Sequence, residues 1–218
     1  MATLRQARKP ELPEVKVLKR KDYTPDLWIV WIEKPEGFTF KPGQYCTIGS
    51  DGIERAYSIV SSPHEPALEL FVELVPPPDG VLTPKLHELH AGDKVTIRPR
   101  AKGLFTFKPD SVNHLLVATV TGIVPYINFL RDYLHNEREG HRFYVLQGAS
   151  YVEEFVYDEE MYRLSRESSE FITYVPTVSR PAEPRNKSWS GETGRVNLIV
   201  DKYVEKFALA PEDTVIYA

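Results

Sequence analysis

The chain is poor in cysteine, in long apolar runs and in net positive charge. Cys46 is the single cysteine among 218 residues, which excludes an intrachain disulfide and also an iron–sulfur cluster, since such a cluster normally takes four thiolates. Any redox activity would therefore need an organic cofactor. No stretch approaches the roughly 20 apolar residues of a membrane helix, and a net charge of −4 is not that of a nucleic-acid-binding domain.

The N-terminus also lacks a secretory signal. Residues 1–10 are basic, but no apolar segment of the signal-peptide kind follows them. We expect a cytoplasmic monomer without nucleic-acid or membrane partners. A hydrophobic content of 42% and a charged content of 27% are typical of a globular chain, and the length allows two domains of about 100 residues each.

Short β-prone runs separated by proline and glycine fill the first half of the chain. They lie at residues 15–18, 26–33, 45–48, 67–75, 94–97 and 104–107, with a short helix at 84–89. Within the run at 67–75, the apolar residues alternate onto one face, namely Leu68, Leu70, Val72 and Leu74. The pattern predicts an antiparallel Greek-key β-barrel over residues 1–109.

The second half has a different pattern, in which apolar β runs alternate with amphipathic helices. Strands are predicted at 114–119, 143–147, 171–175 and 214–217, with helices beginning near Pro125, Phe155 and Val196. Ile127, Leu130 and Leu134 share one helical face, and residues 179–193 read as a surface loop. The sequence therefore predicts a parallel-sheet α/β nucleotide-binding domain over residues 110–218.

Residues 55–61, Arg-Ala-Tyr-Ser-Ile-Val-Ser, carry groups suited to a flat, phosphorylated cofactor. Period 2 predicts a strand with Arg55, Tyr57, Ile59 and Ser61 on one face, and with Ala56 and Ser58 on the other. An arginine fork gives a diphosphate two charge-assisted bonds, and a tyrosine plane suits a flat ring. An ordinary barrel strand with an exposed arginine would explain the same residues.

Two turns could bind phosphate through backbone amides. Gly80 lies in a turn ahead of the short helix, and glycine allows a close approach of the backbone to an anion; the alternative is a plain turn with Thr83 as the helix N-cap. Residues 118–125 form a strand, a turn at Gly122 and a helix start at Pro125. That arrangement is the usual seat of a dinucleotide diphosphate, although the Gly-x-Gly-x-x-Gly fingerprint is absent.

Five motifs, in order, resemble the ferredoxin–NADP+ reductase superfamily and most closely the bacterial ferredoxin/flavodoxin–NADP+ reductases. The heptad at 55–61 resembles Arg-x-Tyr-Ser-x-x-Ser, residues 80–83 resemble Gly-x-x-Ser/Thr, and residues 119–125 resemble Thr-Gly-Thr-Gly-Ile-Ala-Pro. Residues 147–150 match the next segment of the family. Residues 178–180, together with Arg195, match the one after it. Val120 stands where the family usually has its first glycine, and a β-branched residue restricts the backbone there.

The resemblance implies an FAD site in the barrel. Arg55 would hold the pyrophosphate, Tyr57 would stack on the flavin, and Ser58 would hydrogen-bond near flavin N5; Ser58 and Tyr57 are thus the candidate catalytic residues. The remaining contacts would come from Ala56, Val72, Gly80, Val81, Leu82 and Thr83. These details favour FAD over FMN. No metal is expected, because residues 87–90 do not match His-Glu-x-x-His.

The resemblance also implies an NADP site in the second domain. Thr121 and Gly122 would lie where the flavin meets the nicotinamide, and Ser150 would touch the dinucleotide. Ser179, Arg180 and Arg195 would hold the ribose 2′-phosphate, since two guanidiniums can converge on a dianion. Solvated loop arginines are the alternative for this last group.

The implied activity is that of an FAD-dependent oxidoreductase. A hydride would pass from NADPH to flavin N5 and single electrons to ferredoxin or flavodoxin, or the reverse. The alternatives are a reductase component of an oxygenase or a free-flavin reductase and, in another class, a non-catalytic nucleotide-binding or interaction module. The basic residues at 19–21 and 98–102 could dock an acidic carrier, but solvated barrel faces explain them equally well.

The family continues beyond the position of Ala218 with a Cys-Gly-x-Pro turn at the nicotinamide. Residues 214–218 read as a final parallel strand that ends before this turn. We therefore expect this form to bind FAD and NADP+ but to act as a slow reductase, because misplacement by about 1 Å can cost ~100-fold in rate.

Overall fold

A computed structural model describes residues 12–218, which form two β-sheets. The first eleven residues, with the basic arm and the start of the predicted barrel domain, lie outside the described residues. Six antiparallel strands make the first sheet: β1 (Glu14–Asp22), β2 (Leu27–Glu33), β3 (Tyr45–Ser50), β4 (Ile53–Ser58), β5 (Ala67–Glu73) and β6 (Lys94–Ile97). Their order is β4-β3-β6-β1-β2-β5. Just past β4, Val60 donates its N–H to Glu69 O of β5 at 2.9 Å, which curls the sheet into a barrel.

The second sheet is parallel and has helices packed on it. Its strands are β7 (Asn113–Thr119), β8 (Arg142–Ala149), β9 (Ile172–Val178), β10 (Glu192–Thr193) and β11 (Thr214–Tyr217), in the order β10-β9-β8-β7-β11. The helices are α1 (Thr83–His87) beside the barrel, then α2 (Val124–His135), α3 (Asp158–Glu167) and α4 (Val196–Lys206). The predicted fold class, a barrel followed by a parallel α/β unit, is confirmed. The boundary at residues 109 and 110 stays a prediction; it falls between β6 and β7.

Most of the predicted elements form, and the predicted apolar faces are buried. Leu68, Leu70 and Val72 lie in the barrel core with Leu74 packed against it. On α2, Ile127 and Leu130 are fully buried. The prediction that the alternating residues of the strand and the periodic residues of the helix face the core is therefore confirmed.

Two local predictions are wrong because a tertiary contact intervenes, and one helix begins later than predicted. Residues 104–107 form no strand, since Phe105 instead stacks on Phe129 of α2 and Phe107 on His114 of β7. The strand of the heptad ends at Ser58, so Ser61 does not share the Arg55 face; it is buried, and its Oγ accepts the N–H of Glu69. α3 begins at Asp158, three residues later than predicted.

Strand β5 is buried on both faces. Leu68 and Leu70 point into the barrel core, whereas Phe71 belongs to a cluster that also contains Phe129 of α2 and Phe143 of β8. One strand therefore serves two hydrophobic cores, and burial of this kind contributes roughly 25 cal/mol per Å² of apolar surface.

No helix within residues 12–218 is long and apolar enough to cross a membrane.

His114 of β7 is a buried histidine in an aromatic cluster. Its ring stacks on Phe107 with a centroid distance of 4.6 Å and on Phe143 at 5.1 Å. Its Nδ1 lies 3.2 Å from Tyr217 Oη and its Nε2 lies 2.9 Å from Ser111 O. Burial lowers the pKa of His114 to about 4, so the folded protein keeps the ring neutral.

We expect this histidine to make the fold sensitive to acid. The folded pKa lies below the ordinary 6.5, so the unfolded state binds the proton first, and stability falls as pH drops from about 6.5 to about 4. The loss should be on the order of 2–3 kcal/mol. Denaturant unfolding at pH 7 and pH 4.5 measures it. His114→Gln should shrink the difference between the two pH values, and His90→Gln, at an exposed barrel position, should not. Equal pH dependence in all three proteins would contradict this account.

Candidate functional site

The first of three adjoining clefts lies on the barrel beside β4 and has a volume of about 310 Å³. Its walls come from four parts of the chain. They are residues 55–58 of β4, Phe71, Glu73 and Val75 at the end of β5, Thr83 of α1, and Thr121 and Val124 at the start of α2. The predicted flavin residues of the heptad therefore lie together in one concavity.

β4 is the edge strand of its sheet, which leaves its side chains open to a ligand. Arg55, Ala56 and Ser58 are exposed and Tyr57 is half-buried. The guanidinium of Arg55 donates to the backbone carbonyl of Glu54 at 2.8 Å and has no carboxylate partner among residues 12–218. The neighbouring carboxylate, that of Glu54, is held by both nitrogens of the Arg98 fork, at 2.9 and 2.8 Å. Arg55 is thus free to pair with an anion.

Tyr57 keeps a neutral hydroxyl at physiological pH. Burial raises the pKa of its phenol to about 12, and Arg55 lowers it only in part. Glu73 lines the same cleft, and there too burial raises the pKa of the carboxyl, with a further rise from Asp26. Tyr57 therefore adds no charge to the cleft, and the raised pKa of Glu73 reflects the cost of burying its carboxylate there.

The turn at Gly80 is built from backbone contacts. A Cβ on this residue would meet the carbonyl oxygen of Val75 at 1.7 Å, so only glycine fits. Thr83 accepts the Val75 N–H and donates to the Val75 carbonyl, both at 3.0 Å. The residue before the helix is Leu82, without a side-chain cap, so the alternative role of Thr83 as N-cap is wrong.

The other predicted flavin contacts near this turn differ in exposure. Leu82 and Val72 point into the barrel core, where they are 2% and 1% exposed, whereas Val81 is 47% exposed. Only backbone atoms of Leu82 and Val72 therefore remain for a ligand. The role of all three as cofactor contacts stays a prediction.

A second cleft of about 600 Å³ runs between the two sheets, and Ser58 lines it as well as the first. Gly43, Tyr45 and Phe105 form the barrel wall; Thr119, Gly122 and Pro125 form the wall opposite. A third cleft, of about 230 Å³, shares Thr119 and Val196 with the second. It is lined by the predicted nucleotide residues Ser150, Ser179 and Arg195. The three clefts therefore adjoin one another from Arg55 to Arg195.

The turn at residues 120–123 is a short 3-10 helix ahead of α2, a tighter start than the sequence predicts. Gly122 has room for a Cβ, whose nearest atom would lie 3.5 Å away. Val120 has a φ of +36°, a left-handed conformation that costs a β-branched residue free energy. The backbone thus keeps the shape that glycine would suit, with valine in place.

The loop after β9 separates the two predicted arginines. Arg195 lines the third cleft, whereas Arg180 donates to Tyr151 Oη at 2.8 Å and pairs with Glu183 at 3.6 Å. Arg180 therefore lies beside the cleft and is already partnered.

Two residues near this cleft were missed by the sequence analysis. The guanidinium of Arg185 lies 3.6 Å from the ring centroid of Tyr151 and its Nε donates to Glu153 at 2.6 Å. Tyr151 follows Ser150 directly, but the contact spans 34 residues and no motif signals it. An aromatic ring with two guanidiniums beside it is a further surface for a nucleotide.

The donor set suits two phosphorylated, flat cofactors. Guanidiniums without a carboxylate partner within residues 12–218 lie at both ends of the clefts, and aromatic and small residues lie between them. Among residues 12–218 no three His, Cys, Asp or Glu side chains are grouped as metal ligands.

Comparison with known proteins agrees with this geometry. Residues 116–218 match the family model of the oxidoreductase NAD-binding domain. The chain is 31% identical over 183 residues to the flavodoxin/ferredoxin–NADP reductase of Buchnera aphidicola subsp. Baizongia pistaciae, covering 81% of this chain and 71% of that protein. It is 35% identical over 191 residues to ferredoxin–NADP reductase B of Sorangium cellulosum, covering 83% and 74%.

A solved structure extends the likeness to three dimensions. The ferredoxin NADP+ reductase of Neisseria gonorrhoeae, with bound FAD and NADP, superposes with a TM-score of 0.80 at 27% identity, over 95% of this chain and 85% of that one. The match spans both sheets, so it covers all three clefts.

The strained turn gives a stability test. Val120→Gly removes only one carbon more than Val120→Ala does, and only glycine adopts a positive φ without cost. The glycine variant should be the more stable by about 1 kcal/mol, the reverse of the usual order of the two residues. Chemical denaturation measures the difference. As a control, Val200→Gly on α4 should be less stable than Val200→Ala; if the Val120 pair follows that same order, the turn is not strained.

Proposed function

Because the chain belongs to the flavodoxin/ferredoxin–NADP reductase family, we propose that it is an FAD-dependent oxidoreductase that passes electrons between NADPH and a one-electron carrier such as ferredoxin or flavodoxin. The observation that carries the proposal is the row of three clefts, with Arg55 at one end, Ser58 at the first junction and Arg195 at the far end. The cytoplasmic location and monomeric state expected from the sequence remain part of the proposal.

The first cleft would hold FAD. Bound FAD would supply the exchange between two-electron and one-electron chemistry, which protein side chains cannot perform. The free guanidinium of Arg55 binds the diphosphate through charge-assisted bonds. Tyr57 packs its ring against a flat partner, and Ser58 places a hydroxyl where the first two clefts meet.

The second and third clefts would hold NADP. Gly122 and Pro125 form a wall opposite Ser58 that leaves space for a flat ring. Ser150, Ser179 and Arg195 surround the smaller cleft, which suits a phosphate on a ribose. Arg180 would join them only after its side chain turns away from Glu183, so we propose Arg195 as the main cation of this pocket.

The acceptor would be an acidic protein. Two of the basic residues considered for docking already form ion pairs within the protein. The side chain of Arg20 is 13% exposed and pairs with Asp22, and Arg98 pairs with Glu54. Arg100 and Lys102 remain exposed, next to Gly103 of the second cleft. We propose that these two cations guide the carrier towards the edge of the flavin site.

The protein should be yellow as purified, with FAD bound, and should be reduced by NADPH. Arg55→Ala removes a charge-assisted contact worth roughly 1.5–3 kcal/mol, so FAD should dissociate at least tenfold more readily. Flavin fluorescence on dilution measures the dissociation constant. Arg100→Ala, outside all three clefts, is the control and should bind FAD as the wild type does. A colourless protein that cannot be loaded with FAD would overturn the proposed function.

NADPH should be preferred to NADH. Arg195→Ala should raise the KM for NADPH about tenfold or more and leave the KM for NADH within twofold, because only NADPH carries the 2′-phosphate. Steady-state reduction of a dye acceptor measures both values. Arg163→Ala, on α3 far from the clefts, should change neither, and a wild type that uses both coenzymes equally would show that the 2′-phosphate pocket is absent.

A further inference from the structure

Asn128 is a fully buried amide on α2 whose hydrogen bonds all cross to the barrel. Its Oδ1 accepts the N–H of Gly43 at 3.0 Å. Its Nδ2 donates to the carbonyl oxygen of Ser61 at 2.5 Å and lies 3.4 Å from that of Val60. Gly43 precedes β3, and Ser61 follows β4. One side chain therefore joins two barrel segments to a helix of the other sheet.

Both barrel segments lead directly into the cofactor clefts. Gly43 lines the second cleft, and Ser61 lies three residues after Ser58. The helix end of the same connection is equally close to the site, because Pro125 lines that cleft and lies one turn before Asn128, about 5 Å along the helix. One side chain therefore hydrogen-bonds the barrel segments beside one wall to the helix that begins at the opposite wall.

The connection has little freedom to shift. Gly43 has a φ of +90°, and a Cβ there would lie 2.1 Å from Phe105 O and 2.6 Å from the Phe129 ring. The barrel backbone thus touches α2 closely on the same side as Asn128. An apolar residue of similar size at position 128 would fill the space but leave the Gly43 N–H and the Ser61 carbonyl unpaired.

A second crossing contact lies one turn further along α2. Arg131 pairs with the buried carboxylate of Glu69 at 2.7 Å and with Glu160 of α3 at 2.8 Å. The pair with Glu69 crosses to the barrel, whereas the pair with Glu160 joins α2 to α3. None of these three residues lines the clefts, so the crossing pair lies away from them. Asn128, in contrast, makes its crossing hydrogen bonds to segments of the site itself.

We propose that Asn128 is a positioning residue for electron transfer between the two cofactors: its hydrogen bonds to Gly43 and Ser61 set the separation between the wall at Ser58 and the wall at Gly122. The inference rests on the proposed function, because it assigns the two walls to FAD and NADP. Asn128 touches neither ligand, and it acts through the backbone of the two barrel segments.

The test compares Asn128→Leu and the smaller Asn128→Ser with Ile199→Ala. Ile199 packs in a core under α4 that does not include barrel residues, so its truncation destabilises the fold without touching the crossing contacts. Both Asn128 variants should slow single-turnover reduction of the flavin by NADPH at least tenfold. They should also lose the long-wavelength absorbance of a nicotinamide stacked on the flavin when NADP+ is added. Binding of 2′,5′-ADP, which needs only the third cleft, should stay within twofold.

A distance measurement makes the inference independent of turnover. Spin labels at Lys94→Cys in the barrel and Glu205→Cys on α4 report the separation of the two sheets, and buried Cys46 takes no label. The distribution of distances should broaden or shift in both Asn128 variants and stay unchanged in Ile199→Ala. A wild type that is not reduced by NADPH would count against the proposed function, and the label distances would still decide the role of Asn128. The positioning role of Asn128 would be overturned by unaltered label distances in the Asn128 variants, or by rates of flavin reduction within twofold of the wild type.

Discussion

The fold depends on a single strand that is buried on both faces. β5 places Leu68 and Leu70 in the barrel and Glu69 and Phe71 against the second sheet. Glu69 is 4% exposed, and a buried carboxylate is tolerated only when it is paired. Arg131 of α2 supplies the charge and Tyr157 donates a hydrogen bond at 2.7 Å. Burial, with Glu69 beside it, raises the pKa of Tyr157, so this donor keeps its proton. β5 therefore contributes to both hydrophobic cores and carries a buried ion pair between the two sheets.

Much of this fold could be predicted from local patterns. The alternation at residues 67–75 and the helical face of Ile127 and Leu130 depend on period and apolarity, which a sequence displays directly. The second face of β5 could not be predicted, because Glu69 reads as a solvated position until Arg131, 62 residues away, is brought against it. The same reason explains residues 104–107, whose aromatic rings leave the barrel to pack on Phe129 and His114.

The candidate site was predictable where it depends on short motifs and unpredictable where it depends on loops. Arg55, Ser58 and Gly122 lie in the clefts because strand and turn geometry place them there. The resemblance to the reductase family groups Arg180 with Arg195, and in the structure the Arg180 side chain turns to Tyr151 and Glu183. Spacing specifies where a residue leaves the backbone, and the loop between decides where a long side chain points.

The distribution of charge along the clefts limits how a ligand can enter them. Arg55 and Arg195 lie at opposite ends, and among residues 12–218 no Lys, Arg, Asp or Glu side chain lines the middle cleft. A guanidinium at each end favours an anion, whereas Tyr45, Phe105 and Tyr126 give the middle cleft flat, uncharged surfaces. Two dinucleotides bound by their phosphates at the ends would therefore have their rings directed towards each other at Ser58. The rings then meet only if the two walls are held at the correct separation, and in this protein the residues that line those walls come from different sheets.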